Sequence, residues 1–160
     1  MKNLFRIGLA CGVVLAALVA ANFASARSAH AACTPGSVYK GLATYTTYCG
    51  PAKVTFKVGK AKYTFKGGTC AVEHNGPFKF GVHIGTSTYG VPTAKYNYFQ
   101  LDAQSDQPGN SKGGGVTWQL KSTGKSGLLR RAKVTLFNGL KGGSFTGGSK
   151  KTPVTGTFHC

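Results

Sequence analysis

Between positions 53 and 66 apolar and polar residues alternate with a period of two. Val54, Phe56 and Val58 interleave with Lys53, Thr55 and Lys57; beyond Gly59-Lys60, Ala61, Tyr63 and Phe65 interleave with Lys62, Thr64 and Lys66. Successive strand residues point to opposite faces, so the pattern predicts a hairpin with one apolar and one polar face, closed by a two-residue turn. The same alternation predicts strands over Phe78 to Ile84, Lys95 to Leu101, Val116 to Lys121, Ala132 to Phe137 and Val154 to Cys160, with two more at Ser37 to Tyr48 and Ser144 to Thr146. Gly67-Gly68, Gly76-Pro77, Asn138-Gly139 and Gly142-Gly143 punctuate them. Trp118, in phase with Val116 and Leu120, is expected inside. One helical turn is expected near Gly127 to Arg131, and Gln104 to Gly115, which has no apolar anchor, is expected as a mobile loop. About eight short strands separated by glycine-rich turns predict an all-β fold, an antiparallel β-sandwich.

A different apolar pattern opens the chain. Lys2 and Arg6 precede an unbroken run, Ile7 to Ala21, followed by A-x-A sites at Ala24-Ser25-Ala26 and Ala29-His30-Ala31. The run is shorter than the roughly 20 residues that cross a bilayer, and it reads as a secretory signal peptide. Residues 1–31 are expected to be removed, leaving 32–160 as a single domain that is secreted or associated with the cell envelope, with no transmembrane span. Cys33 follows small residues and would offer a lipid-accepting position, but His30 stands where such sites carry a large aliphatic residue.

Charge narrows the chemistry further. The net charge is +17; the leader would take three cations, Lys2, Arg6 and Arg27, and none of the acids, leaving +14. Glu73, Asp102 and Asp106 are the three acidic residues of the chain. Glycoside hydrolysis and related acid-base chemistry need paired carboxylates, which so few acids scarcely supply. Five cysteines are present, Cys11 within the leader, and no Cys-x-x-Cys or His-x-x-x-His spacing occurs. In an oxidising compartment the remaining four read as two disulfides, with no metal site and no cofactor. If the hairpin register ran outward unbroken, Cys49 would face Cys70 and leave Cys33 for Cys160. Gly50-Pro51 and Gly67-Gly68 are poor ladder residues, so the register need not reach that far.

The runs Val54-Thr55-Phe56, Phe65-Lys66-Gly67-Gly68-Thr69-Cys70, Phe80-Gly81-Val82-His83-Ile84-Gly85 and Thr157-Phe158-His159-Cys160 resemble small secreted actinobacterial proteins of unassigned activity. More distantly they resemble the mycobacterial lipoprotein antigen family, in which a strand-ending and a terminal cysteine have the same placing. That resemblance implies a Cys70–Cys160 bridge, leaving Cys33 with Cys49. The chain departs from the family in its extra Cys49, its weak lipid-attachment motif and its basicity.

Motifs for catalysis lack their structural context. Gly109-Asn110-Ser111-Lys112-Gly113 satisfies the G-x-S-x-G of a hydrolase elbow, but that device needs a strand before the serine and a helix after it. Ser37-Val38-Tyr39-Lys40 and Ser122-Thr123-Gly124-Lys125 fit S-x-x-K without a helix to carry them. His83 and His159 alternate with apolar neighbours and should face solvent, with His74 in a turn. No catalytic residue is assigned, and the chain is read as non-enzymatic. The lysines carry the functional expectation. In the hairpin register Lys57 stands opposite Lys62 and Lys53 opposite Lys66, four ammoniums on one face. An anionic cell-wall polymer or other polyanion is the expected partner of Lys53, Lys57, Lys62 and Lys66. The alternatives are a secreted inhibitor or protein-binding module, using a loop such as Gln104 to Gly115, and a small hydrolase.

Overall fold

A computed structural model describes residues 33–74, 76–89, 96–111 and 113–160. The expected leader and its cleavage sites lie outside the described residues, as does Lys95 at the start of the strand expected over Lys95 to Leu101. The strands are β1 (Gly36–Lys40), β2 (Ala43–Tyr48), β3 (Ala52–Val58), β4 (Ala61–Val72), β5 (Phe80–Tyr89), β6 (Tyr98–Ala103), β7 (Gly109–Ser111), β8 (Gly114–Gln119), β9 (Ser126–Leu129), β10 (Lys133–Leu136), β11 (Gly142–Gly148) and β12 (Pro153–His159). Every pairing is antiparallel, and all the strands belong to one sheet.

That sheet curls until its ends meet. β7 pairs with β10 through Ser111↔Val134, and β8 pairs with β9 through Gln119↔Ser126; the two ladders keep one register. Between them the Ala132 N–H donates to the Gly114 carbonyl at 3.0 Å. β7–β8 and β9–β10 are therefore two long, interrupted strands of one hairpin. With these merged, β3, β4, β5, β6, β7–β8, β9–β10, β11 and β12 each pair with the next in sequence, and β12 returns to β3 through Phe158↔Val54. This is up-and-down closure, which removes the edges of an open sandwich from these eight strands; β1, paired with β2 alone, keeps a free edge. The two layers of the expected antiparallel fold are thus opposing walls of one curled sheet.

Alternation decides what fills the inside. Val54, Phe56, Val82, Ile84, Phe99, Leu101, Val116, Val134, Phe145 and Phe158 are buried, and Trp118 is 8% exposed. Phe56 on β3 is the hub: its ring lies 5.3 to 6.2 Å from those of Tyr63, Phe65, Phe99, Trp118 and Phe145, spanning opposite walls. Such aromatic contacts each add about 0.5–1.5 kcal/mol beyond area burial.

Two local expectations are corrected. Gly127 to Arg131 forms no helical turn: Ser126–Leu129 is strand β9, and Gly127 lies against the Trp118 ring, where a Cβ would overlap it. The segment Gln104 to Gly115 is not a free loop, because Gly109–Ser111 pairs with β10.

The hairpin keeps its register from Val58↔Ala61 to Lys53↔Lys66 and then slips, with Ala52 opposite Gly68. Gly67, at φ 85°, is the extra residue of this bulge. The slip removes Cys49 from the position opposite Cys70. Cys70 is bonded to Cys160, and Cys33 to Cys49. Beyond the bulge β4 stays with β5 only over Phe80 to Ile84; β2 takes over the rest of β5, placing Tyr48 opposite Gly85.

Candidate functional site

The outer face of the wall from β10 to β4 is a lattice of hydroxyls and cations. Reading across the strands, one row is Thr135, Ser144, Thr157, Thr55 and Thr64, each paired with the next. The row on one side is Lys133, Thr146, Thr155, Lys57 and Lys62. The row on the other is His159, Lys53 and Lys66. Neighbouring strands lie about 4.8 Å apart, so the hydroxyl row repeats at that interval. Thr55 and Thr64 hydroxyls meet at 3.3 Å, and the Thr135 hydroxyl donates to the Asn110 side-chain oxygen at 2.7 Å. Gly156, lacking a side chain, belongs to a shallow concavity of about 300 Å³ lined by Thr55, Lys57, Lys62, Thr155 and Thr157. A second, of about 430 Å³, continues past Lys133, Thr135, Ser144 and Thr146.

Lys53, Lys57, Lys62 and Lys66 are all exposed on this face, in the two opposed pairs expected from the hairpin register. Among the described residues the only carboxylate within 4.0 Å of a basic side chain is Glu73, beside the His83 imidazole, so no carboxylate neutralises these lysines. Thr55 and Thr64 share the lysine face by the hairpin register itself; Thr135, Ser144, Thr157 and Lys133 escaped sequence reasoning because they come from strands distant in the chain, and the signal that marks the threonines is Thr-x-Thr alternation, as in Thr155-Gly156-Thr157.

A second cluster lies on the outer face of β5 and β6. His83 has a side chain 13% exposed, roofed by the Tyr48 ring at 4.8 Å. Its Nε2 is 3.1 Å from Glu73 Oε1 and its Nδ1 3.3 Å from the Tyr98 hydroxyl. Tyr98 donates to Gln100 Oε1 at 2.8 Å, and Gln100 Nε2 donates to both Asp102 oxygens at 2.8 and 3.0 Å. Burial, helped by Tyr48 and the two carboxylates, holds the Tyr98 hydroxyl far above the ordinary phenol range. Burial likewise raises the Asp102 carboxyl, opposed by its hydrogen bonds from Gln100. His83 is on the outer face as alternation requires, but β2 covers it; the expectation of a solvent-facing imidazole is corrected by that roof. His159 and His74 are exposed.

Ser111 is buried, 8% exposed. Its hydroxyl accepts from the Gln104 N–H at 3.0 Å and donates to the Gly113 carbonyl at 2.7 Å. The serine closes the Gln104 to Gly113 segment as a structural clasp.

No protein-family model, curated protein or solved structure matches the chain. The functional reading therefore rests on the chemistry of the two outer-wall clusters.

Proposed function

We propose that the protein is a non-enzymatic, extracytoplasmic binder of linear polyanions, which lie across the strands of the β10-to-β4 wall. One observation carries this reading: two directly opposed lysine pairs, Lys53↔Lys66 and Lys57↔Lys62, with no acidic partner among the described residues. Like charges directly opposite each other destabilise a sheet, and salt screens the repulsion only over about 8–10 Å. An anion seated between the lysines converts that repulsion into attraction. The hydroxyl row between the two cationic rows supplies donors to phosphate or sulfate oxygens. Lysine, a point charge on a flexible stem, suits a polymer gripped at many places better than one group gripped bidentately.

The two disulfides fit an oxidising compartment. Together with the reading of residues 1–31 as a leader, they favour an anionic cell-wall polymer as the partner. The test is retention on immobilised heparin and on isolated cell wall as salt is raised. Neutralising about four anionic groups of a flexible polymer gives a slope of log affinity against log salt of about −3. Changing Lys53, Lys57, Lys62 and Lys66 together to Gln should flatten the slope, and changing Lys112, Lys125, Lys150 and Lys151 to Gln should have much less effect. Equal losses from the two quadruple variants reduce the binding to net charge, and no retention by the unaltered protein at physiological salt sinks the reading.

A further inference from the structure

The second cluster has an internal logic that a polyanion site does not need. Gln100 commits its Nε2 to both oxygens of Asp102, so the Oε1 it turns to Tyr98 can only accept. The single hydroxyl proton of Tyr98 is given to that oxygen at 2.8 Å. The Tyr98 oxygen is then left to accept from His83 Nδ1 at 3.3 Å, which fixes a proton on Nδ1. In that tautomer His83 Nε2 presents a lone pair to Glu73 Oε1, another lone pair, at 3.1 Å. Two lone pairs face each other there only with a cation to share, which is either a second imidazole proton or a metal ion.

Donor chemistry favours the metal. Glu73, His83 and Asp102 each offer one ligand atom, all within 4.8 Å of one another. They come from the end of β4, from β5 and from β6, and Gly81 lies beneath them. A Cβ at Gly81 would overlap both Glu73 Oε1 and His83 Nε2, so the glycine is what lets the donors settle against the strand. One imidazole with two carboxylates, leaving a position open to water, is a donor set for Zn²⁺. The cluster also has outer-shell supports of the kind that orient zinc ligands: Tyr98 on the far imidazole nitrogen and Gln100 on the aspartate. Atoms sharing one Zn²⁺ lie about 3.3 Å apart; Glu73 Oε1 and His83 Nε2 already stand at 3.1 Å, and the gap to Asp102 has at most about 1.5 Å to close. Two of the three acids in a chain of net charge +17 meet at this one histidine. We propose that Glu73, His83 and Asp102 form a binding site for a divalent transition-metal ion, with Zn²⁺ the best match.

The test is calorimetric titration of the disulfide-bonded protein with Zn²⁺ alone, with Ca²⁺ as the oxygen-seeking control that should not bind. The expected result is saturable binding of a single Zn²⁺ per chain. His83→Gln and Glu73→Gln should each abolish it with an unchanged circular dichroism spectrum. Tyr98→Phe, which leaves all three ligands in place, should weaken it about 10- to 100-fold. His159→Gln, at an exposed site, should leave it intact. Should His83→Gln fail to fold, Glu73→Gln and Tyr98→Phe decide the matter. No saturable binding at about 100 µM Zn²⁺, or binding that survives Glu73→Gln and Tyr98→Phe unchanged, overturns the proposal.

Discussion

Cutting the bridge between Cys70 and Cys160 should cost the fold more than cutting the one between Cys33 and Cys49. The first closes a separation of 90 residues and the second one of 16. In the chain-entropy treatment these correspond to about 4.6 and about 3.1 kcal/mol at 25 °C, a gap of about 1.5 kcal/mol. The structure widens the gap. Cys160 follows β12, a wall strand locked between β11 and β3, whereas Cys33 precedes β1, whose residues are all exposed and which pairs only with β2. Opening β1 and β2 is a local event that leaves the barrel standing, so their bridge contributes little to global unfolding. Trp118, the single tryptophan, packs against Phe56 at 5.4 Å and reports on the barrel interior. In equilibrium urea unfolding followed by its fluorescence, Cys70→Ala with Cys160→Ala should lower the midpoint by about 2–3 M. Cys33→Ala with Cys49→Ala should lower it by no more than about half as much. Equal shifts, or a larger shift from the Cys33 and Cys49 pair, would refute both the loop-length argument and the division between barrel and appended hairpin.

Two further outcomes follow from the packing and from the buried carboxyl. Phe56→Ala, which empties the hub of the interior, should destabilise by about 3–5 kcal/mol in the same urea assay. Phe137→Ala, at a site 44% exposed, should change stability by less than about 0.5 kcal/mol. Burial raises the Asp102 carboxyl, so the folded protein takes up this proton more readily than the unfolded chain does. The associated stability is present at low pH and is lost as pH rises through the raised folded value. With a chelator present, Asp102→Asn should therefore raise the melting temperature at pH 7, the advantage vanishing at about pH 3. An equal effect at both pH values would show that the carboxylate's charge is not the cost.

Period-two alternation made the β3–β4 hairpin legible residue by residue, because one face is buried and a one-residue slip would expose Val54, Phe56 and Phe65. It also assigned Trp118 inward. It gave strands but not their closure, since the pairing of β7 with β10, continuing that of β8 with β9, falls in a segment, Gln104 to Gly115, that reads in sequence as a polar loop. The Cys70–Cys160 pairing was implied by resemblance, while hairpin geometry alone pointed to Cys49; the deciding feature was a single bulge at Gly67, and glycine pairs do not announce which of them bulges. Lys53, Lys57, Lys62 and Lys66 were readable as a cluster because they lie on one hairpin. The Glu73, His83 and Asp102 cluster was not, for Glu73 folds back over Gly81 and β2 arrives from elsewhere to roof the imidazole.

The closed interior has a consequence for where function can lie. Phe56, Phe65, Phe99, Trp118 and Phe145 fill the barrel, so recognition falls to its outer walls. These walls are not equivalent. From β10 to β4 the outward positions are hydroxyls and cations, and the lysine pattern ends at Lys66. On β5 and β6 the outward positions are His83, Gln100 and Asp102, with Glu73 folded over Gly81. A polyanion spreading across the strands would meet the carboxylates of Glu73 and Asp102 there and be repelled. On the proposed reading the acidic cluster would bound the polymer's path on one side, and the same two carboxylates that would repel an anion are the groups that would attract a cation.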